Sequence, residues 1–203
     1  FRRVLFRSVG SRSTTRTRDF LSLQEWFAEV HLRDLSDNYD FLALRAGNQT
    51  FNSDFRGFLF NDTNLGLRLF GNAQNNRWQY NFAAFDLREK DTNSELNTFD
   101  ARNQQVLILN AYRQDFLFPG YTATCSVHCN NDEATTHYDR NGNIARPAPI
   151  GGVRAHEVQA VYIGWGGDGH IGPVNLSHQF YQALGRDTFN GVARRPVDIN
   201  AQM

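Results

Sequence analysis

Apolar residues return at every second position along this chain, and that period most constrains what it folds into. In NNRWQYNFAAFD, Trp78, Tyr80, Phe82 and Ala84 share one parity, and Arg77, Gln79 and Asn81 share the other. A strand turns successive side chains to opposite sides, so the pattern predicts a strand with one apolar and one polar face. The same period sets Leu65, Leu67 and Leu69 against Gly66, Arg68 and Phe70, and Trp26, Ala28, Val30 and Leu32 against Glu25, Phe27, Glu29 and His31. It recurs in Tyr121, Ala123, Cys125, Val127 and Cys129 against Thr122, Thr124, Ser126, His128 and Asn130, and in Val174, Leu176 and Phe180 against Asn175, Ser177, Gln179 and Tyr181. Less clearly patterned strands are expected near 41–47 and 158–165. A further one at 104–114 has ambiguous faces, and another begins at Val197.

The connections alternate in length. A short turn near 34–38 is followed by the long GNQTFNSDFRGFLFNDT, then short NAQNN, long REKDTNSELNTFDARN, short FLFPG, long NDEATTHYDRNGNIARPAPIGGVR, short GGDGH and long GRDTFNGVARRP. In an up-and-down antiparallel meander, alternate connections fall at opposite ends. One end is therefore expected to carry tight turns and the other extended loops, an asymmetry found in outer membrane barrels and also in some soluble ones. Tyr39, Phe41, Trp78, Tyr112, Tyr121, Tyr162 and Trp165 lie near strand ends, where aromatic girdles sit.

Composition adds two exclusions. Positive and negative residues balance at 21 each, which gives no reason to expect a nucleic-acid partner. No run approaches the roughly 18 apolar residues of a membrane helix, a test that strands of about 9 to 11 residues escape.

The opening residues 1–8, FRRVLFRS, match one reading frame of a common short-read sequencing adapter residue for residue. They are expected to be foreign to the fold, with 9–18 a polar lead-in and 19–203 a barrel portion truncated at both ends.

Local strings that resemble catalytic or metal sites do not hold up. Cys125 and Cys129 share a strand face about 13 Å apart, beyond disulfide reach, and His128 points the other way, so no metal or redox centre is expected. In DRNGN the glycine is misplaced for a calcium loop and the terminal glutamate is missing, so a turn is expected. GGDGH likewise reads as a tight turn. Glu25 and Glu29 are about 13 Å apart along a strand, too far for a glycosidase pair. No nucleophile elbow or zinc-protease helix is present, and neither an enzyme nor a cofactor is expected.

Taken together, SDFRGFLFNDTNLGLRLFGN, EKDTNSELN, YRQDF, RPAP, GWGGDGHIG and DINAQM resemble a family of large proteobacterial outer membrane β-barrels, some of whose relatives are grouped with alginate-export-type porins. The resemblance spans 19–203. It implies an all-β fold, an antiparallel up-and-down meander forming a fragment of a transmembrane β-barrel. It also implies a porin-like channel or transporter in the outer membrane of a Gram-negative bacterium. The implied partners are outer membrane lipid, lipopolysaccharide and the barrel-assembly machinery.

If the apolar parity faces lipid, the opposite parity supplies the pore-lining candidates Glu25, Glu29, His31, Arg45, Arg68, Arg77, Gln79, Asn81, Thr122, Thr124, Ser126, Asn175, Ser177 and Gln179. The arginines make an anionic saccharide or another small polar solute the candidate cargo. Two other readings stay open: a soluble β-sandwich or barrel that binds carbohydrate, and an outer membrane barrel with a structural or adhesive role.

Overall fold

The computed structural model describes residues 2–7, 15–20, 22–91, 94–133, 135–138, 142–146, 154–189 and 196–203. These residues contain no helix and form thirteen strands: β1 (Arg2–Arg7), β2 (Thr15–Phe20), β3 (Trp26–Asp34), β4 (Phe41–Asn52), β5 (Asn61–Ala73), β6 (Trp78–Lys90), β7 (Asn97–Arg113), β8 (Tyr121–Asp132), β9 (His137–Tyr138), β10 (Ile144–Arg146), β11 (His156–Ile171), β12 (Val174–Phe189) and β13 (Pro196–Gln202). Nine of them form one antiparallel sheet in the order β13-β12-β11-β8-β7-β6-β5-β4-β3, an open meander whose edges are β3 and β13. The pairs β1–β2 and β9–β10 are separate hairpins. Residues 2–7 of the segment matching the adapter sequence pair with 15–20 and not with the main sheet.

The alternation read from sequence becomes two continuous faces, because cross-strand partners lie on the same side of a sheet. Val30, Leu44, Leu69, Phe82, Leu109, Val127 and Ile163 are successive partners across seven strands. Phe82 is 46% exposed, Ile163 49% and Leu109 54%. Four residues along, towards the end bearing residues 53–60, a polar row closes this apolar zone: Asp86, Gln105, Asn131, Gln159, Arg186 and Asp198. On β13 the pattern reverses, with Asp198, Asn200 and Gln202 sharing the face of Arg186, Leu184 and Gln182. Nothing in the structure explains that reversal.

The sheet curls towards its polar face. β4 and β12 are six ladder steps apart, or about 29 Å if the sheet were flat. Yet Asp54, two residues beyond β4, accepts a 3.2 Å hydrogen bond from Gln179 of β12. Only a strongly curved wall brings these groups together, so the polar face is concave and the apolar face convex.

Strands run further than the connection lengths predict. Much of the fourth connection is strand, since β6 continues to Lys90 and β7 begins at Asn97. GGDGH is not a turn: Gly166–His170 lies inside β11, and the chain reverses at 172–173. Gly167 within it, and Gly164 just before it, make room for aromatic rings. A Cβ at Gly167 would fall 2.0 Å from the Tyr121 hydroxyl oxygen, and one at Gly164 would fall 2.3 Å from the Tyr181 ring. Covering a strand glycine with a neighbouring aromatic restores buried area where the side chain is missing. The Tyr121 hydroxyl is also fixed, 2.7 Å from His178 Nε2. Gly167→Ala is expected to cost about 1–3 kcal/mol by overpacking, read as a fall in the urea midpoint at unchanged slope.

The aromatic girdle is only partly realised. Trp78 and Trp165 lie on the convex face, but Phe41, Tyr112 and Tyr162 have concave-face partners, and Tyr39 is in a turn at φ 63°. Cys125 and Cys129 are free thiols on the convex face, as their parity requires. No three metal-ligating side chains cluster among the described residues. Of DRNGN, 139–141 lie outside the described residues.

Candidate functional site: the concave face and its inward loop

Residues 53–60 do not extend away from the sheet. They fold against the concave face, where Asp54 organises them. Its carboxylate accepts backbone N–H bonds from Arg56 at 2.9 Å, Phe58 at 3.1 Å and Leu59 at 3.2 Å. The Tyr181 hydroxyl adds a further donor. Burial pushes the Asp54 carboxyl up, but these donors outweigh it and hold the group below its ordinary value.

The loop then reaches opposite parts of the wall. The Ser53 carbonyl accepts from Asn110 Nδ2 at 2.7 Å and from the Tyr112 hydroxyl at 3.0 Å, both on β7. Arg56 donates to Ser177 Oγ of β12 at 2.9 Å, and the Phe58 ring stacks on Tyr181 at 6.0 Å. Apolar packing anchors the base of the loop through Phe51, Phe60 and Phe85, with Ala83, Leu87, Val106 and Ile108.

A polar ladder crosses the same face. Arg45 Nε donates to Glu29 at 2.7 Å, Arg68 Nε to Asn81 Oδ1 at 2.8 Å, and Asn81 Nδ2 to Asn110 Oδ1 at 2.9 Å. Asn110, only 1% exposed, then hands the chain on to Ser53. Arg45 and Arg68 are direct cross-strand partners, with Arg45 over Phe27 and Phe70 and Arg68 over Phe70 and Phe51. These aromatic faces disperse a like-charge contact that would otherwise be unfavourable. Glu29 is the one carboxylate ion-paired to either arginine among the described residues, so this part of the face carries excess positive charge.

The sequence-predicted residues fall mostly into this arrangement. Glu29, Arg45, Arg68 and Asn81 meet in the ladder, and Ser177 and Gln179 hold the loop. Thr122, Thr124, Ser126 and Asn175 occupy the same face through partners Asp168, Gly166, Gly164 and His170, and Gln79 shares the parity of Asn81. His31 sits on that face but turns to Asp34, 2.9 Å away. Two candidates need correcting. Glu25 precedes β3, and Arg77 lies in the 74–77 turn, so neither belongs to the wall.

Sequence reasoning passed over Asn110, Tyr112, Asp54, Arg56 and His128. The 104–114 parity was ambiguous because Leu107 and Leu109 alternate with Val106 and Ile108, so both faces read as apolar. The structure assigns Gln104, Val106, Ile108, Asn110 and Tyr112 to the concave side.

Comparison with protein-family models, curated proteins and solved structures gives no match for this chain.

Proposed function

We propose that this chain is part of the wall of an outer membrane channel for small polar solutes, with anionic saccharides the favoured cargo. One observation carries the reading: a curved meander exposes a continuous apolar row on its convex side and holds a charged ladder and an inward loop on its concave side. Water offers no reason to expose Val30, Phe82, Leu109 and Ile163 along one row of the sheet, whereas acyl chains solvate such a row. The resemblance to outer membrane barrel sequences supports the same reading.

In this reading, lipid and lipopolysaccharide cover the convex face, and the barrel-assembly machinery inserts the chain. Arg45 and Arg68, splayed over phenylalanines and with Glu29 their one ion-paired carboxylate among the described residues, attract carboxylate-bearing solutes into the lumen. The loop 53–60 narrows the passage. Further strands beyond β3 and β13 complete the ring.

The test is reversal potential in a salt gradient across planar bilayers holding the full-length protein from the uninterrupted gene. Anion preference is expected, and Arg68→Gln should shift it towards cations. Conductance without ion preference, unchanged in Arg68→Gln, would remove the arginines from the selectivity role. Failure to insert at all would favour a soluble carbohydrate-binding sandwich.

A further inference from the structure

Beneath the loop, at the end of the concave face bearing residues 53–60, lies a cavity of about 450 Å³ between the loop and β5–β8 and β11. We propose that it binds an uncharged polyhydroxylated ring of monosaccharide size. The argument rests on which polar atoms there lack a partner within the protein.

His128 lines this cavity at 2% exposure, and neither ring nitrogen is hydrogen-bonded to protein. Gln104 donates its amide to Asn130 Oδ1 at 2.7 Å, which leaves Gln104 Oε1 buried and unpaired. Arg102 Nε is buried and unpaired as well. Buried groups of this kind are costly unless something satisfies them.

The set contains donors and acceptors together. A neutral imidazole presents one N–H and one bare nitrogen, Gln104 Oε1 only accepts, and Arg102 Nε–H only donates. A carboxylate, which accepts alone, would leave Gln104 Oε1 and the bare imidazole nitrogen unsatisfied. Hydroxyl groups satisfy all four positions, since each both gives and takes a hydrogen bond. Two of the nearby cations are already neutralised, because Lys90 is ion-paired with Asp62 and Arg146 with Glu89 at 2.8 Å; Arg102 is the cation of the lining that the anion arms of the test address. Phe60 and Tyr162 add apolar surface for the C–H face of a ring, and the volume lies within the range of small-ligand pockets.

This site extends the channel reading by giving the concave face a holding point for neutral solute apart from the arginine ladder. Because its walls belong to one chain, it does not depend on a bilayer, so the two ideas fail separately.

The test is isothermal titration of the full-length protein in detergent with D-glucose, D-galactose and D-mannose, and in parallel with sodium phosphate and glucuronate. Saturable binding of at least one neutral sugar is expected. Gln104→Leu and His128→Phe should each weaken it about ten-fold, the value of one buried hydrogen bond. Arg102→Gln, at a half-buried position, carries the same expectation if His128→Phe does not fold. No saturable binding by any neutral sugar, or binding that Gln104→Leu and Arg102→Gln both leave unchanged, overturns the proposal. Phosphate or glucuronate binding more tightly than every neutral sugar and weakened by Arg102→Gln would make the cavity an anion site and overturn it too.

Discussion

Phe82→Arg is expected to lower the stability of the bilayer-folded protein by about 2–4 kcal/mol, with the urea midpoint in lipid vesicles as the readout. Phe82 lies in the middle of the convex row, between Leu69 of β5 and Leu109 of β7. A guanidinium there must be dragged towards headgroups or must draw water into the hydrocarbon. Asn175→Arg is the matched control: it is exposed on the concave side of β12, opposite His170, and should fold within about 0.5 kcal/mol of the parent. Asn81 would be a poor control despite its polar parity. It is only 8% exposed and sits between Arg68 and Asn110, so an arginine there would break the ladder and face a second guanidinium.

Asp54→Ala should detach the inward loop and raise single-channel conductance several-fold. The substitution removes the acceptor for three backbone N–H groups and the contacts to Gln179 and Tyr181, worth about 3 kcal/mol of loop order as a group of charge-assisted bonds. Acid should mimic it. The Asp54 carboxyl is held below its ordinary value, so its stabilising effect is complete above the usual carboxylate range and is lost as pH falls through the depressed value. Conductance should therefore rise only in strong acid, and Asp54→Ala should abolish that rise. If conductance in Asp54→Ala matches that of the parent, the loop does not narrow the path.

Strand positions were legible because a two-faced sheet writes its burial into every second residue. Trp78 to Ala84 and Tyr121 to Cys129 needed no neighbour to be read. The path of 53–60 was not legible, since it depends on Asn110, Tyr112 and β12, brought close only by curvature of the whole sheet. GGDGH misled for a related reason. Its glycines look like turn formers locally, but they lie inside β11, where Gly167 accommodates Tyr121. His128 carried its signal in plain parity with Thr122, Thr124 and Ser126. What singles it out is the lack of a hydrogen-bond partner, and only assembled strands reveal that.

The central claim is that the convex apolar face meets lipid, and Trp165 tests it most directly. It is 51% exposed on that face, between Cys125 of β8 and Phe180 of β12. With the other tryptophans replaced by phenylalanine, its fluorescence is measured in vesicles of lipids brominated along the acyl chains, then in plain vesicles with aqueous iodide. Strong quenching by the brominated chains with little effect of iodide is the predicted result. Strong quenching by iodide with none from the brominated chains would contradict the account.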